Sequence, residues 1–175
     1  PDEYSMFESR KLSSFNGWSS YDQFSKRWMK RKNIVYWRGS TTGPPITSIK
    51  SLEELKRIKV SLMYKNQVGF DIRISNIVEN KIPKQIIRQW LDEKRIKGRK
   101  VREDHFIHFK YYPDIPGNNQ ICGSWGTIRK HLRGNLIFKP NHKSKMFYDR
   151  MMTPWKDFIP VDSDFLELGK LYSWA

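Results

Sequence analysis

The sequence predicts an α/β fold built on a largely parallel sheet, and three observations carry that expectation. Short β-branched or aromatic runs alternate with runs of helical periodicity along the 175 residues. Few hairpin signals separate them, so consecutive strands are joined by crossovers rather than tight turns. The first clear strand breaks off into a Gly/Ser/Thr-rich turn, where α/β proteins place their ligand loops, beyond the carboxyl ends of the strands. The length suits one domain with a sizeable core or two small ones. With no internal repeat and no low-complexity linker, one domain is the simpler parse.

Each element has its own warrant. Phe15, Trp18, Tyr21, Phe24 and Trp28 recur at three- and four-residue steps, as one face of a helix would. Ile34-Val35-Tyr36-Trp37 reads as a buried strand, ending at the turn Arg38-Gly39-Ser40-Thr41-Thr42-Gly43-Pro44-Pro45. Ser51-Leu52-Glu53-Glu54 has the form of a capping box, and helical spacing then continues to about Lys65. Val68 to Ile74 predicts a second strand with Asp71 inside it, and Pro83 predicts the start of a helix through Ile86, Ile87, Trp90 and Leu91. Phe106 to Tyr112 predicts a third strand, closed by a turn over Pro113 to Asn118. The stretch Gly123 to Gly134 reads as a tight loop opening a short helix, with Ser124 or Thr127 as cap and Gly134 as stop. Leu136-Ile137-Phe138 is a fourth strand, Lys145 to Met152 a helix and Phe158 to Val161 a fifth strand. Ser163 is positioned to cap a last helix through Leu166, Leu168 and Leu171.

Composition narrows the function classes. A hydrophobic content of 38% with 14% aromatics supplies enough apolar surface to offset the entropy of ordering. No apolar run approaches the ~20 residues of a membrane-spanning helix. The chain opens at Pro1 without a methionine or a leader-like stretch, so an upstream part is expected. The lone Cys122 excludes an internal disulfide framework and a cysteine-rich zinc site. A net charge of +15 fits attraction to nucleic acid, phosphate-bearing ligands or anionic lipid, and equally a solvated basic surface. Its densest run, Lys94 to Arg102, reads as an exposed loop rather than a binding element.

The chemistry is sought in the loops. His105, His108, His131 and His142 form no ligand spacing with a carboxylate or with Cys122. The phosphate-binding G-x-x-x-x-G-K-[ST] and the dinucleotide fingerprint G-x-G-x-x-G are absent, as are the signatures of helix-turn-helix, zinc-finger and RNA-recognition modules. What stands out is a pair of loops, Arg38 to Gly43 and Asp114 to Arg129. Each combines hydroxyls, glycine backbone and an arginine. Such loops suit the two charges of a nucleotide diphosphate, which need N–H donors and a guanidinium. Taken alone, Gly123 to Gly134 fits an ordinary capped helix as well as a phosphate loop.

Three ordered motifs then resemble glycosyltransferase family 90, the capsule-associated-protein type that includes protein O-glucosyltransferases and capsule xylosyltransferases. Trp37-Arg38-Gly39-Ser40-Thr41-Thr42-Gly43 is similar to the family's W-R-G-S-x-T-G segment. Lys110-Tyr111, Asp114, Gly117-Asn118, Ser124-Trp125, Arg129, Leu132 and Leu136-Ile137-Phe138-Lys139 resemble its K-Y-x-x-D-x-x-G-N, S-W-x-x-R and s-l-v-f-K series. Pro154 to Val161 resembles its P-W-x-H-Y-x-P-V, with Lys156-Asp157-Phe158 departing from the histidine-aromatic pair and Pro116 replacing a common acid.

The resemblance implies a Rossmann-like three-layer domain, the donor-binding half of a GT-B glycosyltransferase, over residues 33–175. Residues 1–32 would then be a helical lead-in from an upstream half. It implies inverting, metal-independent transfer of a hexose or pentose from a UDP-sugar to a hydroxyl of a glycan or protein acceptor. The UDP-sugar is substrate, and neither a cofactor nor a sequence-specific nucleic-acid partner is expected. Donor-binding roles fall by resemblance on Arg38, Gly39, Ser40, Thr42, Gly43, Asp114, Gly117, Asn118, Ser124, Trp125 and Arg129, with Arg129 neutralising the leaving diphosphate. No residue matches a catalytic base, since acids upstream of Trp37 such as Glu3, Glu8 and Asp22 fall in no motif. The alternative is a non-catalytic module binding nucleotide sugars or polyanions, with a plain nucleic-acid binder as a third reading. Localisation follows the missing context: cytoplasmic for a complete chain, secretory pathway if a signal precedes it.

Overall fold

The computed structural model describes residues 21–78, 81–117, 125–141 and 147–175, with backbone alone at 21–24 and 125. The elements run α1 (Tyr21–Met29), β1 (Lys32–Ser40), α2 (Ile49–Glu53), α3 (Lys56–Tyr64), β2 (Phe70–Asn76) and α4 (Lys84–Glu93). A 3-10 helix over Glu103–His108 precedes β3 (Phe109–Pro113), α5 (Trp125–Leu132) and β4 (Leu136–Pro140). A 3-10 turn at Phe147–Met151, β5 (Ile159–Val161) and α6 (Leu168–Trp174) complete the order.

Five strands form one sheet in the order β2-β1-β3-β4-β5, and every pairing is parallel. Beyond β2, Lys97 makes a parallel bridge to Ile74, with Ile96 accepting from the Ile74 amide and Gly98 donating back to the Ile74 carbonyl. Counting that bridge as a rudimentary strand, the order becomes 3-2-1-4-5-6, the doubly wound Rossmann arrangement. The fold is thus α/β with an all-parallel sheet flanked by helices, as the alternation of elements predicts.

Strand alternation sends side chains to two faces. On one, Trp37 lies under Arg57 of α3 and Tyr111 meets Tyr172 of α6 edge-on. On the other, Tyr36 stacks on Phe109 and meets Phe106 edge-on, while the Lys130 ammonium of α5 sits over Phe106 and Tyr112 and bonds Glu103. Val35, Leu52, Ile58, Ile87, Ile137, Phe138 and Leu168 are fully buried between these layers.

Several elements differ from their predicted form, each for a visible reason. The capping box is Ser48 with Ser51, three residues before the predicted one. The predicted single helix splits at Leu55, whose extended backbone drops its side chain into the space that Gly43 leaves free, 2.6 Å from a hypothetical Cβ there. β1 runs on through Arg38 and Gly39 to Ser40, so the predicted turn begins with strand. β3 starts at Phe109 because Phe106 turns inward between Tyr36 and Tyr112. The last helix begins late, at Leu168, since Asp162 rather than Ser163 gathers the amides of Asp164, Leu166 and Glu167. Of the predicted helix Lys145 to Met152, the described part is the 3-10 turn. Phe15 and Trp18 of the aromatic stripe lie outside the described residues, as does Cys122.

Two helix ends share one motif. After α5, Gly134 (φ 74) donates to His131 and Asn135 to Lys130; after α4, Arg95 (φ 59) donates to Asp92 and Ile96 to Leu91. Gly134 adopts the left-handed conformation freely, as its predicted role as helix stop requires. An arginine there costs about 1–2 kcal/mol.

Candidate functional site

In this order, the chain leaves β1 toward β2 on one side and returns past it to β3 on the other. The crevice between the carboxyl ends of β1 and β3 is the topological switch point, where open α/β sheets bind ligands. Both predicted loops arrive there. After β1, the Thr41 amide donates to Asn76 and its hydroxyl accepts from Val78, pinning the loop to the exit of β2. After β3, the Asp114 amide donates to Phe138, carrying the chain alongside β4. The loops touch where Thr42 meets Gly117: a Cβ on that glycine would lie 2.7 Å from the Thr42 hydroxyl and 2.9 Å from the Arg57 guanidinium. That glycine is required by close approach, since any side chain would push the loops apart.

Arg57, on α3, fastens this junction. Its guanidinium donates to Ser40 at 3.0 Å, Pro116 at 3.1 Å and Ile115 at 3.4 Å, and packs 5.4 Å from the Trp37 ring centre. Sequence reasoning missed it, because a cation next to Ile58 in an amphipathic helix carries no signal of what it reaches.

A buried charge cluster underlies the β3 side. The Thr127 hydroxyl donates to Asp114 at 2.7 Å, tying the first turn of α5 to the exit of β3. Thr127 therefore sits inside the helix as a tether rather than as its cap. The Lys139 ammonium, at the end of β4, lies 3.1 Å from Asp149 and 3.8 Å from Asp114, with all three side chains about 6–7% exposed. Burial pushes the Asp114 carboxyl above the ordinary carboxylate range, against the opposing Thr127 hydrogen bond and Lys139 charge. The crevice is bordered by the Thr42 hydroxyl and the Gly117 backbone, with the first turn of α5 tied to its β3 side through Thr127 and Asp114, and the Lys139 ammonium is held below by Asp149 and Asp114.

The predicted site residues divide. Ser40, Thr42 and Gly117 come together around Arg57 at the switch point, whereas Gly43 packs against Leu55 and the Asp114 side chain is buried at the exit of β3 against Thr127 and Lys139. Gly39 lies one residue earlier in β1, its missing Cβ making room for the Trp37 ring. Arg129 is exposed on α5, one turn past the helix start. Asn118, Ser124 and the Trp125 side chain lie outside the described residues. Arg38 is turned to the other face: it pairs with Asp71 at 2.6 Å, bonds the Asp71 and Trp37 carbonyls and covers the Tyr36 ring at 4.3 Å. Among the described residues, no cluster of three His, Cys, Asp or Glu could hold a metal ion, and no helix is long and apolar enough to cross a membrane.

Comparison with known proteins adds one relative. No family model matches the chain. The sequence is similar to an uncharacterized protein, 027R, of Frog virus 3 (isolate Goorha), at 23% identity over 163 residues. That alignment covers 85% of this chain and 16% of the viral protein, so the chain spans about a sixth of its relative's length.

Proposed function

We propose that this chain is the donor-binding half of a GT-B glycosyltransferase of the family 90 type, holding a UDP-sugar at the switch point. The observation that carries the reading is the meeting of two loops. The W-R-G-S-x-T-G segment and the K-Y-x-x-D-x-x-G-N segment, some seventy residues apart in sequence, contact each other through Thr42 and Gly117 at the crevice where doubly wound sheets bind nucleotides.

In this reading Ser40, Thr42 and Gly43 line one wall and Asp114 and Gly117 the other. Arg129 neutralises the departing diphosphate from α5, charge stabilisation by a fixed cation aimed where charge develops. Arg38, turned to the other face and paired with Asp71, stands outside the pocket in this reading. Inverting transfer also needs a carboxylate to take the acceptor proton; the reading assigns that role to no residue of this chain.

Calorimetric titration with UDP, UDP-glucose and UDP-xylose, without added metal, tests it. Binding of at least one nucleotide is the expected result, and Arg129→Ala weakens it by about 1.5–3 kcal/mol, the worth of a hydrogen bond to a charged group. A folded protein that binds none of the three refutes the reading. UDP release from this chain in the presence of acceptors would place a catalytic base within it, which neither a donor-binding half nor a non-catalytic nucleotide-sugar module contains.

A further inference from the structure

The run Lys94 to Arg102 holds six lysines and arginines and no acid. It is not a free loop. Ile96 is fully buried, Lys97 bridges to β2, and Gly98 packs so closely that a Cβ would lie 2.8 Å from the Arg38 guanidinium and 2.9 Å from Arg73. A fixed backbone therefore holds Arg95, Lys97, Arg99, Lys100 and Arg102 out into solvent along the outer edge of the sheet.

Carboxylates compensate this edge only in part. Lys97 pairs with Asp92 at 2.5 Å and Arg102 approaches Asp104 at 3.5 Å. Arg95, Arg99 and Lys100 have no carboxylate partner among the described residues. Asp71, the acid nearest the run on the sheet, is already shared by Arg38 and Arg73. Arg99 lies near His105, which packs edge-on against Tyr36 and Phe109 and meets the exposed His108 ring edge-on at 5.5 Å.

Arg95 makes the edge more than a solubility device. It occupies the left-handed position that ends α4, where glycine would be unstrained and where Gly134 serves at the equivalent end of α5. A guanidinium is kept there at a cost in stability. Strain of this kind collects at functional positions.

We infer that this edge, through Arg95, Arg99, Lys100 and Arg102, binds the phosphodiester backbone of nucleic acid without reading its sequence. Arginine forks fit phosphate oxygens in bidentate fashion, and the exposed His108 ring accepts a stacked base. The surface is separate from the crevice between β1 and β3 and does not depend on the nucleotide-sugar reading.

The test measures binding of a labelled single-stranded oligonucleotide of about 20 nucleotides by anisotropy, across a salt series. Arg99→Ala with Lys100→Ala is expected to weaken binding about tenfold and to lower the magnitude of the salt slope by about 1.4, two single-strand phosphate contacts. A charge-matched control, Lys156→Ala with Lys170→Ala near the opposite edge, is expected to leave both within twofold. UDP-sugar titrations are expected to be unchanged by the first pair. Arg95→Gly separates function from packing: it is expected to raise Tm by about 2–4 °C while lowering oligonucleotide affinity. Equal losses in the two pairs, binding of heparin but not the oligonucleotide, or no binding at moderate salt would overturn the proposal. Unchanged affinity in a stabilised Arg95→Gly would remove Arg95 from the surface.

Discussion

Asp114 keeps a carboxyl group where water hardly reaches, supported by one hydroxyl and one ammonium shared with Asp149. Burial raises its pKa, so between the ordinary carboxylate value and the raised one the folded protein binds more protons than the unfolded chain. Stability therefore falls as pH rises through that window and is level above it. Asp164 and Glu54, both on the surface, have the opposite sign: their lysine partners lower them, so their contribution appears as pH rises through the range below the ordinary value. Asp114→Asn keeps an acceptor for Thr127 and removes the titration. Denaturant melts at a series of pH values are expected to show the wild type losing stability relative to this variant as pH climbs from about 4. Parallel curves would mean that Asp114 binds its proton equally well in the folded and unfolded states, and that burial does not raise it. The same residue shows what sequence discloses at this scale. A D-x-x-G pattern marks Asp114 as a loop residue, but its partners Thr127, Lys139 and Asp149 are set by three other elements, and no local signal couples them.

Among the elements, local chemistry predicted existence better than edges. Every described strand lies within a few residues of its β-branched or aromatic run, because a period of two and buried apolar side chains are written locally. Helix ends moved where a different residue won the capping contest. Ser48 outcompetes Ser51 as cap because Ser51 is itself the reciprocal partner, its hydroxyl accepting from the Thr47 and Ser48 amides. Leu55 shows tertiary packing overriding helical propensity, since the kink that buries it needs Gly43 across the gap, and no window of sequence contains both roles. The sharpest case is the lead-in to α6, where Asp162 accepts three amides within five residues. Asp162→Ala is expected to cost about 1–2 kcal/mol, the upper range for losing a cap, and to lower Tm by about 2–8 °C. Ser163→Ala, the change suggested by the sequence pattern, is expected to leave Tm within a degree or two. The reverse ranking would restore Ser163 as the cap. Thermal melts by circular dichroism of the two variants decide it.

At the scale of the molecule, the site depends on how the sheet is wound. The crevice exists because the strand sequence reverses direction between β1 and β3, and that reversal appears only once the strands are paired. Sequence placed the two ligand-type loops and left their meeting to the fold. Arg57 is the joint between the loops: a single guanidinium reaches backbone carbonyls at Ser40, Ile115 and Pro116 and lies against Trp37. Arg57→Met preserves most of the side-chain volume but leaves those carbonyls short of a donor in a part-buried place. The expected cost is about 2–3 kcal/mol, a fall in Tm of about 4–12 °C. Because both walls of the crevice hang from the same group, the proposed donor-binding role has UDP-sugar affinity falling with it, by tenfold or more. Stability loss alone does not produce that second effect, and Tyr64→Phe supplies the comparison. The Tyr64 hydroxyl donates to Phe165 at 2.6 Å and accepts from Gly169 at 3.3 Å, joining α3 to the start of α6 on the sheet face away from Tyr36. Its loss is expected to lower Tm by several degrees while leaving affinity at a saturating fraction of folded protein unchanged. If Arg57→Met behaves like Tyr64→Phe, losing stability and keeping affinity, the two loops hold their places without the clamp and the crevice is organised by the strands alone.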